Sequence, residues 1–164
     1  MTQVMEPLVD EFVLTREGYG RIEAELDRLV RVDRHEVAER IRDAKDYGEL
    51  TENAEYEAAK NAQAFIEGRI MDLKKILAGA RVLDDSEIRT DIVGLGSTVG
   101  IRDLSYDEDF TLTLVSAFEA DPDRDRISDL SPIGRAIKGR AAGDIVSVTA
   151  PGGEMRLEIL EIGK

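Results

Sequence analysis

Carboxylate side chains crowd one short stretch of the sequence, DYGELTENAEYE, which occupies residues 46–57. Between residues 43 and 57 there is a single basic residue, Lys45, and the acidic residues are Asp43, Asp46, Glu49, Glu52, Glu55 and Glu57. Like charges ~4 Å apart near a surface repel by a few kcal/mol, so the crowding costs stability. Either the stretch is a solvated, charged helix end, or its oxygens complete a magnesium site on another protein. Composition alone leaves both explanations open.

Two helical runs flank this acidic stretch. The first offers Thr15 as N-cap and Gly48 as a stop, and the second ends before Gly79. Apolar residues recur at steps of mostly three or four in the first run, at Tyr19, Ile22, Leu26, Leu29, Val30, Val37, Ile41 and Ala44. In the second run, apolar residues recur at the same kind of spacing, at Ala58, Ala62, Phe65, Ile66, Ile70, Leu73, Ile76 and Leu77. Two such narrow apolar stripes bury each other best, which predicts an antiparallel coiled-coil hairpin with the acids at its tip.

The remainder of the chain changes character. Residues 1–80 are predicted to form the hairpin domain, residues 81–96 a connector, and residues 97–164 a compact α+β domain. Four short alternating runs, STVGIR, FTLTLVSA, DIVSVTA and MRLEILEI, predict strands. The last two are joined by Pro151, Gly152 and Gly153 as a hairpin turn, and SPIGRAIKG predicts a short helix with Ser131 as N-cap and Pro132 at its first position.

Charge and composition exclude several classes of function. The formal net charge of −13 argues against binding duplex nucleic acid unaided, because phosphate recognition needs positive surface. Cysteine is absent and His35 is the only histidine, which excludes disulfide frameworks, thiolate zinc sites and histidine clusters. No apolar run has the length of a membrane span and the acidic start is unlike a secretory signal, so we expect a cytoplasmic protein without membrane contact.

Two long motifs resemble those of a known family. YGELTENAEYEAAKNAQAFIEGRI, residues 47–70, resembles the signature of the bacterial transcript cleavage factors, the GreA and GreB family. SPIGRAIKG and GDIVSVTAPGGEMRLEILEI resemble the C-terminal domain of the same family. The resemblance covers nearly the whole chain in the right order. It is closer to the GreA branch, since the second helix lacks the dense lysine and arginine run typical of GreB.

The resemblance implies an α+β fold class with an N-terminal coiled-coil hairpin and a C-terminal FKBP-like domain. It implies a monomer that binds bacterial RNA polymerase, with the globular domain at the rim of the secondary channel and the hairpin reaching the active centre. There the family's tip acids help hold magnesium while the polymerase hydrolyses the 3′ end of backtracked RNA. No cofactor is expected to bind stably to the chain alone.

Site residues follow from the resemblance by position. The two metal-directed acids fall on Glu49 and Glu52, expected to act only in the complex with polymerase. Asn53 and Tyr56 belong to the surrounding tip motif. The polymerase-docking loop falls on Asp129, Leu130, Ser131, Pro132 and Ile133.

Two departures from the family pattern bear on activity. Glu49 stands where aspartate is usual, and its extra methylene moves the carboxylate by roughly a bond length, whereas a 1 Å misplacement can cost about 10²-fold in a positioned reaction. Glu57 stands where histidine is common, which adds negative charge.

Three other functions compete with cleavage stimulation. The first is a Gre-like inhibitor that occupies the channel without stimulating cleavage, which the departure at Glu49 favours. The second is a prolyl isomerase, for which the aromatic residues of the C-terminal domain, Tyr106, Phe110 and Phe118, are too sparse. The third is a coiled-coil chaperone, which would need an apolar tip.

Overall fold

Long helices dominate the first half of the chain and short strands the second. The structure is a computed structural model that describes residues 12–46 and 53–164. It divides into a hairpin unit, Tyr19–Gly79, and a sheet unit that combines Met1–Gly18 with Ala80–Lys164. Within the described ranges, no helix joins sufficient length with sufficient apolar character to cross a membrane.

The hairpin is built from three α-helices and one wide turn. The helices are α1 (Arg16–Arg28), α2 (Arg34–Asp46) and α3 (Ala54–Gly79), and a π-helical turn, Leu29–Asp33, separates α1 from α2. Thr15 is confirmed as the N-cap of α1, because its Oγ1 accepts a hydrogen bond from the Gly18 N–H at 3.0 Å. The sequence predicted one uninterrupted helix before the tip, and the π turn is therefore a correction.

A narrow apolar seam holds the hairpin together. Its buried residues are Ile22, Leu29, Val37, Ala44, Ala59, Ile70 and Leu73. Phe65 was predicted to lie in this seam, but 73% of it is exposed, and Ala58 is exposed as well. Both lie on the outer face of α3, since Ile66, Ile70 and Leu73 already occupy the positions that face the partner helix at helical spacing. The prediction of an antiparallel helical hairpin is confirmed.

Two ion pairs link the helices beside the seam. Arg69 donates to both carboxylate oxygens of Glu25 at 2.7 and 3.1 Å, and Arg34 does the same to Glu67 at 2.8 and 3.0 Å. The hydrogen bond that Arg69 donates to Glu25 raises the pKa of Arg69 above its usual range. All four side chains are roughly half exposed, so each pair contributes little free energy but has a defined geometry.

The sheet unit contains a five-stranded sheet in the order β5-β4-β3-β7-β6. Its strands are β3 (Thr98–Asp103), β4 (Glu108–Val115), β5 (Arg126–Ser128), β6 (Ile145–Ala150) and β7 (Gly153–Gly163). All neighbours are antiparallel except β4 and β5, which are parallel. A separate parallel pair joins β1 (Phe12–Leu14) to β2 (Ala80–Val82). The four predicted strands are confirmed as β3, β4, β6 and β7, whereas β1, β2 and β5 were not predicted.

One helix covers the apolar face of the sheet. It is α4 (Pro132–Ile137), and the fully buried Ile137 packs with Val99, Ile101 and Ile159 from the strands. Ser131 and Pro132 are confirmed as N-cap and first helical residue, since Ser131 Oγ accepts from the Gly134 N–H at 3.0 Å. Residues 81–96, predicted as a connector, are grouped with the sheet unit, and Val93 belongs to its core.

Candidate functional site

Asn53 closes the base of the acidic tip. Its Oδ1 accepts a hydrogen bond from the Tyr56 N–H at 3.1 Å, which caps the N-terminus of α3. Its Nδ2 donates to the Ala44 carbonyl oxygen at 2.7 Å, near the end of α2. One side chain therefore satisfies a donor of one helix end and an acceptor of the other.

The two acids predicted to direct metal, Glu49 and Glu52, lie outside the described residues. The acids that flank them within the structure are all exposed: Asp43, Asp46, Glu55 and Glu57. Glu55 and Glu57 occupy the first turn of α3, where the helix dipole favours negative charge. Tyr56, the other residue of the predicted tip motif, is half-buried.

An open cleft lies near the end of the hairpin, between α2 and the start of α3. Its volume is about 470 Å³, and its described lining residues are Arg40, Asp43, Ala44 and Glu55. Across the ranges 12–46 and 53–164, no group of three or more histidine, aspartate or glutamate side chains is placed to hold a metal ion. The described end of the hairpin therefore presents exposed carboxylate groups. The hydrogen bonds of Asn53 join the two helix ends that carry these groups.

The predicted docking loop, Asp129–Ile133, lies in the sheet unit, where it runs from the end of β5 into the first turn of α4. The loop is tightly folded, because the Ser131 N–H and Oγ both donate to the Ser128 carbonyl, at 3.1 and 2.6 Å. Lys138 Nζ donates to the Asp129 carboxylate at 3.0 Å, while Leu130 is 60% exposed and Pro132 is exposed. The loop therefore presents an apolar side chain and a proline ring on a rigid support. Ile133 instead packs against the core.

Gly134 is required by this geometry. A Cβ at this position would lie 2.0 Å from the Ser128 carbonyl oxygen, which is a backbone atom that cannot turn aside. The first turn of α4 can thus lie directly against the end of β5, and the loop between them keeps one shape.

Comparison with known proteins identifies the family. The model of the transcription elongation factor N-terminal domain, GreA_GreB_N, matches residues 12–82, and the model of the GreA/GreB C-terminal domain matches residues 88–164. The chain belongs to the GreA/GreB family. The resemblance found in the two sequence motifs is confirmed, and the chain is a Gre-type transcription elongation factor.

Relatives of GreA/GreB type match over nearly the full chain. The transcription elongation factor GreA of Thermoanaerobacter pseudethanolicus is 50% identical over 93% of this chain and 97% of its own length. The GreA of Acetivibrio thermocellus is 48% identical over 94% of this chain and 97% of its own length. A solved structure, that of GreA factor homolog 1 (Gfh1) of Thermus thermophilus, is 31% identical, covers 94% of this chain and 99% of that chain, and has a TM-score of 0.45.

Sequence analysis of this GreA/GreB family chain missed a buried charged cluster in the sheet unit. Arg126 donates to Glu119, to Thr15 Oγ1 at 2.9 Å and to Glu17 at 3.2 Å, and the Thr15 N–H donates to Glu119 at 2.9 Å. The side chains of Arg126 and Glu119 are only 9% and 2% exposed. This cluster, Thr15, Glu17, Glu119 and Arg126, anchors the start of α1. No local signal marks it, because Thr15 and Glu17 are more than 100 residues from Glu119 and Arg126.

The two predicted groups of site residues thus lie in different units. Asn53 and Tyr56 are joined at the base of the tip, whereas Asp129–Ile133 connect β5 to the first turn of α4. The sequence also missed the bond between Asn53 and the Ala44 carbonyl. An asparagine directly before a helical run is an N-cap signal, so half of the role of Asn53 could have been found.

Proposed function

We propose that this chain binds bacterial RNA polymerase through the secondary channel and stimulates hydrolytic cleavage of the 3′ end of backtracked RNA. The polymerase supplies the active centre, and the chain acts as an accessory factor. The observation that carries the proposal is the concentration of exposed acids at the end of a two-helix hairpin whose base Asn53 closes. Family membership supports it.

Glu49 and Glu52 are the residues proposed to hold magnesium together with the polymerase. The donor chemistry fits, because carboxylate oxygens are the ligands that magnesium prefers, and one or two carboxylates suffice when phosphate and water complete the shell. When bound, the ion supplies an activated water for hydrolysis of the phosphodiester. The chain's own contribution is to bring two carboxylates to the backtracked RNA end, while Asn53 joins the end of α2 to the start of α3.

The loop Asp129–Ile133 is proposed to contact the polymerase at the channel rim. Leu130 and Pro132 are exposed apolar groups on a loop held by three local hydrogen bonds of serine hydroxyl groups, so docking would cost little ordering entropy. Binding through this loop and cleavage then depend on different units of the chain, which allows separate tests.

Substitutions of the tip acids test the function. Glu52→Gln and Glu49→Gln keep the side-chain length but remove the charge, and each is expected to lower the rate of RNA shortening in a stalled, backtracked polymerase by about 10²-fold. Binding to polymerase, measured by competition with the parent chain, should change by less than about twofold because the docking loop is untouched. Glu57→Gln is the matched control and should cleave like the parent.

Two results would contradict the proposal. If Glu52→Gln stimulates cleavage as well as the parent chain does, Glu52 does not hold the metal ion. A parent chain that binds the stalled polymerase but leaves its RNA at full length would support the Gre-like inhibitor instead. In that case RNA cleavage by Glu49→Asp, which restores the residue usual in the family, should be compared with that of the parent. Cleavage gained by this variant would show that the longer side chain of Glu49 misplaces the carboxylate.

A further inference from the structure

Two large apolar side chains on the outer face of α3 are exposed to solvent. Phe65 is 73% exposed and Met71 is 70% exposed, so the packing of the hairpin buries little of either. Gly68 lies between them, because residues three apart form a row across the surface of a helix. Phe65, Gly68 and Met71 thus form an apolar row with a gap at its centre, which we call the α3 notch.

An open cleft of about 400 Å³ lies against the notch. Its described lining residues are Ala64, Phe65, Gly68, Arg69 and Asp72. The guanidinium of Arg69 is already paired with Glu25 through two hydrogen bonds, and the carboxylate of Asp72 repels anions. Because phosphate recognition needs positive surface, the cleft fits an apolar side chain of a protein and not a nucleic acid.

The fold of the hairpin does not require glycine at position 68. A Cβ placed there would have no described atom within 4 Å, and Gly68 does not have a positive φ. Glycine in the interior of a helix is also destabilising relative to alanine. What glycine provides at this position is the gap between Phe65 and Met71, through which another side chain can approach the helix backbone.

The notch is too small to hold two copies of the chain together. Phe65 and Met71 of two chains would bury roughly 600 Å² in total, whereas stable complexes bury about 1,200 Å² or more. The notch therefore fits a partner that another contact of the chain already holds, since linking two weak contacts raises the effective concentration at the second. Under the proposed function, the docking loop supplies the first contact and α3 belongs to the hairpin that enters the polymerase.

We propose that the α3 notch binds an apolar side chain of the polymerase inside the secondary channel. Phe65 and Met71 flank this side chain, and Gly68 allows it to lie close to the helix backbone. The inference rests on the proposed function, to which it adds a contact made by the hairpin unit. Loss of the notch should weaken binding to the polymerase and leave the chemistry at the tip unchanged.

Gly68→Ala tests the notch because stability and binding should change in opposite directions. Alanine favours the helix, so the thermal midpoint should rise. The added methyl group occupies the gap, so the dissociation constant for a stalled, backtracked polymerase, measured by competition with the parent chain, should rise at least threefold. Gly20→Ala is the matched control, because a Cβ there also has no described atom within 4 Å, and this variant should be stabilised but bind like the parent.

Phe65→Ala removes one side of the notch. Its thermal midpoint should stay close to that of the parent, since the side chain is mostly exposed, while the dissociation constant should rise at least fivefold. In titrations of RNA cleavage, the concentration for half-maximal stimulation should rise and the maximal rate should stay unchanged. Tyr106→Ala is the matched control, because Tyr106 is an aromatic residue of similar exposure, 76%, in the sheet unit, and its loss should not change binding.

A photoreactive side chain at position 65 identifies what covers the notch. Phe65→benzoylphenylalanine, irradiated in complex with the stalled polymerase, should form a crosslink to a polymerase subunit. A crosslink to the RNA, or to a second copy of the chain, would overturn the proposal.

The two proposals can fail separately. If the parent chain cleaves, and Gly68→Ala and Phe65→Ala both bind like the parent, the notch has no role and the proposed function stands. If the parent chain binds the polymerase but leaves its RNA at full length, cleavage stimulation is wrong, and the binding of the two variants still decides the role of the notch. A parent chain that does not bind the polymerase would overturn both.

Discussion

The buried pair of Arg126 and Glu119 gives the sharpest prediction about stability. Substitution Arg126→Met keeps most of the side-chain volume but leaves the Glu119 carboxylate, 2% exposed, without its cationic partner. Thr15 would still donate to that carboxylate from its N–H and its hydroxyl. Breaking a buried pair by removing one partner costs about 3–5 kcal/mol, and the remaining Thr15 bonds place the expected loss near 3 kcal/mol.

Hydrogen exchange of the sheet amides measures this loss in the intact chain. The slowest amides of β3 and β7 exchange through global opening of the sheet unit, so their exchange should become faster by about 10²-fold for a loss of 3 kcal/mol. Arg102→Met is a matched control, because Arg102 pairs with Asp109 on the surface, and its loss should leave the exchange of these amides close to that of the parent.

A double substitution separates charge from packing. Replacing Glu119 by leucine together with Arg126→Met removes both charges, and a buried pair exchanged for apolar groups is often neutral or stabilising. Most of the lost stability should therefore return. The reasoning is refuted if Arg126→Met costs less than about 1 kcal/mol, or if the double variant is less stable than the single one.

Smaller substitutions test three other contacts. A Cβ at Gly18 would lie 2.1 Å from the carboxyl carbon of Glu119, whereas a Cβ at Gly20 would have no atom within 4 Å of it. In urea unfolding, Gly18→Ala should thus cost about 1–3 kcal/mol and Gly20→Ala should stabilise by up to about 1 kcal/mol. Asn53→Ala should lower the stability of the hairpin by about 1 kcal/mol in thermal melts, and Asn53→Asp should recover only the helix cap. Arg102 lowers the pKa of Asp109 through a side-chain hydrogen bond, so this stabilisation is present above the ordinary value of 3.8 and is lost as the pH falls through the lower folded-state pKa. Arg102→Gln should therefore flatten the dependence of stability on pH in acid.

Each of these expectations has a result that contradicts it. Equal effects of the two glycine substitutions would show that the carboxylate moves aside freely. Full recovery by Asn53→Asp would mean that the bond to the α2 carbonyl contributes nothing. If acid unfolding of Arg102→Gln is unchanged from that of the parent, the pair of Arg102 with Asp109 does not contribute to the pH dependence of stability.

The helices and the longer strands were predictable because they repeat a local pattern. Apolar steps of three and four mark α1, α2 and α3, and alternation marks β3, β4, β6 and β7. The π turn was missed because Leu29, Val30 and Val32 are all apolar, so the apolar pattern shows no break where the helix departs from regular geometry. Strands β1, β2 and β5 have three residues each, too few to show alternation.

The candidate site was predictable only in part, for a related reason. The acids of the tip stand out because they are neighbours in sequence. Glu119 has no such signal, because a single acid between Phe118 and Ala120 would be predicted to lie on the surface. Only the fold brings Thr15 and Arg126 into contact with it. The same side-chain type therefore serves two purposes here. The described carboxylates of the tip, Asp43, Asp46, Glu55 and Glu57, are exposed to solvent, whereas the isolated Glu119 is buried and paired with Arg126. Removing a charge should accordingly have different consequences at the two places: at Glu49 or Glu52 it lowers activity and spares the fold, and at the buried pair it lowers the stability of the sheet unit.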